Sequence, residues 1–416
     1  MVHKAAIIGG GAAGFFAAIR LAELNPDLTV CIYEKSTHVL GKVKVSGGGR
    51  CNVTHHCLDP KELIKYYPRG SKELLGPLNK FGPTDTINWF QSRGVALKTE
   101  PDGRMFPITD SSQTILDCLM QAATDAGVEV RTRCGVEEIK KQENGTWILT
   151  LQEGETKTVD ILMLATGSSE RSWQMLRKMG VKMEPASPSL FTFNIKDNRI
   201  DELPGVSFPQ VKVKVEGTKL EAEGPLLITH WGMSGPAILK ISAWGARDLQ
   251  AKEYKFWLKV NFIPEFHEDS AFDYITQCKG EYQRKKCGAF SPFESVPKRF
   301  WYQMMEAAGI EDDQIWAVTT KQQIRKLAIE LTNGRYVVEG KSTNKDEFVT
   351  CGGIQLAEID FKTMAIKKIP NLFVAGEMID VDALTGGFNF QNAWTTGWIA
   401  GTSMSEQSLL KTATDF

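Results

Sequence analysis

Several things are scarce in this chain. Its eight cysteines include no Cys-x-x-Cys pair and fall at no metal-ligand spacing. That argues against a zinc site or a dithiol redox motif and suggests reduced thiols in a cytoplasmic protein. No 18 consecutive residues are apolar, so no membrane span is expected. Net charge is nearly absent: 49 Lys and Arg against 50 Asp and Glu leave −1. Without a dense basic stripe there is no electrostatic case for a nucleic-acid or anionic-membrane partner, local patches aside. Repeats and low-complexity runs are missing too. The apolar stretch 5–19 after Lys4 has the look of a signal-peptide core, but its four glycines argue against that.

What is present begins at residue 4. Lys4-Ala-Ala-Ile-Ile reads as a short strand, Gly9-x-Gly11-x-x-Gly14 as a tight turn, and the residues from about Ala12 as a helix. In such a unit the first glycine permits the turn, the second lets a pyrophosphate approach the backbone, and the third lets helix and strand pack closely. The helix N-terminus offers unpaired N–H groups to the phosphates. A second strand, Thr29-Val-Cys-Ile-Tyr33, ends in Glu34, 20 residues after Gly14, where a carboxylate can accept from an adenosine ribose.

With 416 residues and 42% apolar content, the chain can form two or three domains. Residues 1–185 read as a nucleotide-binding body. Ser111 or Ser112 can cap a helix running to Ala126, with Gly127 as its stop. A strand near 128–132 follows, then a hairpin turning at Asn144-Gly145. The run Ile161-Leu-Met-Leu-Ala165-Thr166-Gly167 reads as a buried parallel strand ending in a cofactor-facing loop. From 186 to 345 the pattern changes: alternating strands over 189–228, then a charged helical stretch over 266–332, together an inserted domain. Glycine and strand signals return in 346–416, which are expected to complete the first domain.

Asn371-Leu-Phe-Val-Ala-Gly376-Glu377 reads as a buried strand with an acid at its carboxyl end, and Thr385-Gly-Gly387-Phe-Asn389-Phe-Gln391-Asn392 as a turn feeding an apolar helix. Glu377 can accept from a ribityl hydroxyl, and a helix start near Asn389–Asn392 can stabilise negative charge at the N1–C2=O edge of a flavin. A domain for NAD alone needs no second clamp of this kind. Between the two lies Gly41-Lys-Val-Lys-Val-Ser46-Gly-Gly48-Gly49-Arg50-Cys51-Asn52, read as backbone approaching a flat ring or a phosphate.

Taken with Asp102-Gly-Arg-Met-Phe-Pro107, Thr229-His-Trp-Gly-Met-Ser-Gly-Pro-Ala-Ile238 and Thr350-Cys-Gly-Gly-Ile354, these strings resemble the bacterial BaiN-like flavoproteins. That family includes members described as aminoacetone oxidases and bile-acid-modifying reductases. The resemblance implies an α/β architecture: a three-layer Rossmann-like FAD domain split in sequence, interrupted by a β-rich, barrel-like insert carrying a helical subdomain. It also implies that cofactor contacts extend to Ala12, Ala13, Lys35, Lys42, Val43, Val136 and Ala393. It supplies no substrate.

The expected activity is therefore FAD-dependent oxidoreduction with noncovalent FAD, transferring hydride to or from a small enone, steroid-like or amine substrate. NAD(P)H is a transient reductant in this reading, since the flavin takes the one pyrophosphate fingerprint. His230, at the end of a strand and beside Trp231, reads either as a substrate-side acid/base or as a structural hydrogen-bonding residue. Arg104 could anchor an anionic substrate or bond Glu100 and Asp102 locally. Cys51 and Cys351 have no resolving partner in sequence and read as small residues near the flavin. His55 and His56 read as loop residues. Two alternatives remain: a flavin-dependent nucleic-acid-modifying enzyme and a non-catalytic flavin sensor.

Overall fold

The computed structural model describes residues 3–342 and 349–414. The chain divides into two compact units, Met1–Ser187 with Val349–Phe416, and Pro188–Phe348. The expected boundary at 345/346 lies outside the described residues.

The first unit is built on a seven-stranded sheet, in the order Ile359–Asp360, Ala365–Ile366, Leu372–Val374, Ile161–Leu164, Lys4–Ile8, Thr29–Tyr33, Glu129–Arg131. The last five run parallel, with Ile7 level with Met163 on one side and Ile32 on the other. Ala5–Ile8 and Ile161–Leu164 in the middle of this row are continuous buried apolar runs, as strands covered on both faces require. The helix Ala12–Leu24 packs against the long helix Phe388–Thr414 at a crossing made of small residues. A Cβ on Gly397 would lie 2.6 Å from the Ala13 carbonyl oxygen, and one on Gly401 would lie 2.5 Å from that of Ala17. Arg20 donates to Thr402 at 3.1 Å and stacks on Trp398, closing the same crossing. An antiparallel sheet of Val136–Lys141, Trp147–Leu151 and Thr156–Val159 forms the crossover leading to the strand Ile161–Leu164. No helix among the described residues is long and apolar enough to cross a membrane.

The second unit is a closed barrel of six strands: Thr192–Asn194, Gly232–Ser234, Glu221–Thr229, Ser207–Val215, Lys255–Asn261 and Gly334–Ser342. Val211, Val213 and Val215 point inward while Lys212 and Lys214 point out, the period of two expected of a half-exposed strand. Helices Glu268–Glu281, Lys298–Ala307 and Lys321–Asn333 share a core with the barrel through Phe262, Phe300 and Leu327. After the turn at His230 and Trp231 the chain forms the strand Gly232–Ser234 before the helix Pro236–Trp244 begins. Gly232 has φ +140°, and a Cβ there would sit 2.3 Å from the Phe193 carbonyl oxygen, so strand pairing rather than propensity decides this segment.

Candidate cofactor site

The N-terminal turn shows why each glycine is needed. Gly9 has φ +111°, and a Cβ on Gly14 would lie 2.0 Å from the Gly9 carbonyl oxygen. Gly11, by contrast, has nothing within 4 Å of a Cβ position and stands as the N-cap of the helix Ala12–Leu24. Two glycines serve packing, then, and one leaves space at a helix N-terminus, as a bound pyrophosphate requires. Glu34 sits at the end of the neighbouring strand. Its carboxylate accepts from Gly10 N–H and Ser36 N–H, each at 2.8 Å, which fixes its direction. Val136 starts the strand that follows Gly135, whose Cβ would lie 3.3 Å from Lys35 Cβ, so these residues gather around Glu34.

Within the segment Gly41–Gly49 the residues up to Val45 are helical, and Gly47 and Gly48 are left-handed. The helical part follows Leu40, which is left-handed at φ 57°, and it breaks at Ser46, where Oγ donates to the Val43 carbonyl at 3.0 Å. Gly47 packs against Phe106, whereas Gly48 and Gly49 face open space. Cys51 follows in a left-handed conformation, fully buried, its thiol pushed up to about 12 by burial. A protonated buried thiol is no nucleophile. All eight cysteines are thiols rather than disulfides.

Glu377 belongs to the other sequence segment. It follows Gly376, whose N–H donates to Thr396 at 3.0 Å, and its carboxylate pairs with Lys42 and lies beside Gly167. Ala165, Thr166 and Gly167 leave the strand Ile161–Leu164 here, with Thr166 Oγ1 3.0 Å from Met378 Sδ. Gly376 packs on Ala13 and has Ala393 within 4.0 Å of its Cβ position. The helix Phe388–Thr414 opens directly after Gly387, which is wedged against the Thr54 carbonyl and the Asn52 side chain. Two of the polar side chains near this helix start are already occupied. Asn389 bonds the Ala383 backbone both ways at 3.0 Å, and fully buried Gln391 accepts from Thr54 at 2.6 Å and Thr86 at 3.0 Å. Both leave only main-chain groups for a ligand. Asn392 Oδ1 is buried and has no hydrogen-bond partner among the described residues, which is unusual for an interior oxygen and suits a polar ligand.

Arg104 is engaged locally, donating to Asp102 at 2.7 Å and Glu100 at 3.0 Å. Arg50 donates to the other oxygen of Glu100 at 2.6 Å and stacks 4.0 Å above Phe106, so one carboxylate holds both guanidiniums. In the second unit, His230 and Trp231 form an exposed turn, with Trp231 at 71% exposure. No hydrogen bond of the His230 imidazole occurs among the described residues.

His55 is the residue that the sequence reading undervalued. It is not in a loop but in the two-residue strand Thr54–His55, paired with Arg104–Pro107. Its ring stacks on Phe388 at 4.6 Å, lies flat against Gly103, and faces the Asp102 carbonyl through Nε2 at 3.1 Å. Burial holds it below its usual pKa. Nδ1 is buried without a partner. A strand of two residues carries no periodicity, so nothing in the sequence signals it. The buried pair Arg69–Asp382, which ties down the segment before Thr385, is equally silent in sequence.

A dinucleotide turn at one end, a second carboxylate at the other, and a second helix start define an FAD-binding oxidoreductase of the Rossmann type. The model of the HI0933-like protein Rossmann domain matches residues 3–403, and the chain belongs to that family. The chain is similar to a ribosomal RNA dihydrouridine synthase of Escherichia coli, 28% identical over 95% of this chain and 96% of the relative. It is also similar to a 3-dehydro-bile acid delta(4,6)-reductase of Clostridium scindens, 27% identical over 98% of this chain and all of the relative. Among solved structures, a 3-ketosteroid-delta4-(5alpha)-dehydrogenase from Rhodococcus jostii superposes with TM-score 0.53 at 13% identity, covering 97% of both chains. A flavocytochrome c3 fumarate reductase superposes at 0.51 with 15% identity, covering 98% of this chain and 79% of that one. At such identities these two speak for the fold alone.

Proposed function

We propose that the protein is an FAD-dependent reductase acting on a carbon–carbon double bond conjugated to a carbonyl. The observation that carries the cofactor half is the pairing of a clear Gly11 face at a helix N-terminus with Glu34 at one end and Glu377 at the other. In this reading Gly11 and the first turn of Ala12–Leu24 receive the pyrophosphate, Glu34 accepts from the adenosine ribose, and Glu377 accepts from the ribityl chain. The start of Phe388–Thr414 and Asn392, whose Oδ1 is buried and unpartnered among the described residues, would face the electron-rich edge of the ring. FAD, once reduced by NADH or NADPH, supplies hydride. The protein's own groups orient the acceptor and deliver a proton, with His230 the first candidate because its imidazole is exposed and uncommitted. Arg104 is less suited, its donors being engaged with Asp102 and Glu100.

The substrate half rests on shared chemistry. A 3-oxo steroid with a neighbouring double bond and a uracil ring both present a conjugated carbonyl, and relatives named for each reaction align along nearly the whole chain. Reduction of a uracil in RNA is the second reading, favoured by the relative named for that reaction, which aligns over 95% of this chain. Anaerobic mixing tests the proposal. The flavin should bleach with NADH or NADPH and recolour on adding a 4-en-3-one steroid or a uridine-containing RNA. Recolouring by neither substrate, or by an imine in preference to both, rejects it. A protein whose flavin never bleaches would be a passive binder.

A further inference from the structure

We infer that Thr396 is a positioning residue for the flavin half of the cofactor: its hydroxyl locks the turn that carries Glu377 to the helix Phe388–Thr414. This rests on the cofactor reading above. Thr396 has no exposed surface. Its Oγ1 donates to the Asn392 carbonyl one helical turn back, at 2.6 Å, and accepts from Gly376 N–H at 3.0 Å. The first bond directs the second. A hydroxyl that donates to the carbonyl four residues back keeps its lone pairs for a donor outside the helix. Here that donor is the first N–H beyond the sheet. Ala375 N–H still bonds the Leu164 carbonyl, at 3.3 Å, and Gly376, next along, turns left-handed at φ +67°.

The turn held in this way touches both helices of the site. A Cβ on Gly376 would lie 3.0 Å from Ala13 Cβ, in the first turn of Ala12–Leu24, and 4.0 Å from Ala393 Cβ in Phe388–Thr414. Glu377 follows directly. The pyrophosphate helix, the ribityl-side carboxylate and the second helix start therefore meet around one hydroxyl. Neighbouring side chains on the same helix make other contacts. Thr395, equally buried, donates to the Phe81 carbonyl at 2.8 Å and accepts from Gln391 at 3.0 Å. Trp394 donates to the Val53 carbonyl at 2.9 Å. Of these three, Thr396 alone bonds the Glu377 turn. Without its hydroxyl, Gly376 N–H is left buried with no partner, which costs more than the bond itself contributes. The turn relieves that cost only by moving, and Glu377 moves with it.

The test compares Thr396→Val, which keeps the shape and removes the hydroxyl, with Thr395→Val as a control of the same burial and chemistry. The full-length chain, freed of flavin, is titrated with FAD by fluorescence and with ADP by calorimetry. ADP probes the Gly11 and Glu34 end alone. Thr396→Val should weaken FAD binding on the order of tenfold and ADP binding by about twofold at most. Thr395→Val should weaken neither, whatever it does to the melting temperature. The helix start favours reduced flavin, which carries the added negative charge, so the midpoint potential of Thr396→Val should fall. A tenfold larger loss for the reduced form lowers it by about 30 mV for a two-electron couple. Thr396→Ser should restore affinity and potential. If Thr396→Val does not fold, Thr396→Ser against Thr396→Ala isolates the same hydroxyl. Equal losses for FAD and ADP, an equal FAD loss in Thr395→Val, unchanged FAD affinity and potential, or no rescue by serine each overturns the assignment. Absence of FAD binding by the unaltered chain would reject the cofactor reading and this inference with it, whereas normal binding beside any of those results rejects the inference alone.

Discussion

Lys42 donates to the carboxylate of Glu377 across 335 residues of sequence, tying the two segments of the first unit together beside Gly167. The lysine is 58% exposed and the glutamate 18%. Such a pair contributes about 1 kcal/mol at most to folding, because water screens the lysine. Lys42→Met should therefore leave the melting temperature nearly unchanged. It should raise the FAD dissociation constant several-fold and lessen its salt dependence, as measured by fluorescence titration. A large fall in melting temperature would reverse this ranking.

The two kinds of glycine in the first turn should respond oppositely. Gly14→Ala drives a methyl into the Gly9 carbonyl, at 2.0 Å before any shift, and should cost about 1–3 kcal/mol or more. A Cβ at Gly11 meets nothing within 4 Å, so Gly11→Val should keep the melting temperature of the cofactor-free protein. It should nevertheless abolish FAD retention after gel filtration. Retention of FAD by Gly11→Val would mean that the pyrophosphate lies elsewhere.

Glu34→Ala removes a carboxylate already aimed by two backbone N–H groups. FAD binding should weaken by about 1–3 kcal/mol, the usual loss for a charged acceptor. Acid precipitation should release FAD, not FMN, from the unaltered protein. Recovery of FMN alone would reject the adenosine end of the site.

His55 gives the protein a pH dependence with a defined sign. Burial favours its neutral form in the fold, while the unfolded chain takes up a proton near the ordinary value of about 6.5. Its contribution to stability is thus complete above that pH and declines as pH falls below it. His55→Phe keeps the stack on Phe388 and cannot titrate. Between roughly pH 7 and 5 its melting temperature should fall less than that of the unaltered protein. Parallel curves would show that His55 is not the titrating group.

His230→Ala should preserve FAD content and melting temperature, since the side chain is exposed. Reoxidation of reduced flavin by the enone should slow about 10²-fold or more if His230 delivers the proton. His230→Gln should recover part of the loss if hydrogen bonding suffices. Normal turnover in His230→Ala would move the proton donor elsewhere.

Much of the cofactor end was legible because its signals are local. The strand Thr29–Tyr33, the helix start at Ala12 and the Ser111 cap follow from glycine placement, β-branched runs and capping chemistry within a few residues. What escaped was set by distant partners. Gly41–Val45 turns helical, which the three successive glycines read as an approach to a ring or phosphate did not signal. Gln391 looks like a ligand in sequence, yet its amide is spent on Thr54 and Thr86, more than 300 residues away. Arg104 could not be assigned until Glu100 was seen to hold it and Arg50 together.

The strands Met183–Ser189 and Val349–Ile354 pair with each other where the chain leaves the first unit and where it comes back. Paired strands run about 5 Å apart, so the second unit, Pro188–Phe348, is attached like a cassette at a single splice point. A gene encoding this chain can therefore exchange that cassette, lengthen it or drop it for a short linker without rerouting the parallel sheet. Diversification within such a lineage would fall on the cassette, while the nucleotide-holding half is inherited nearly intact.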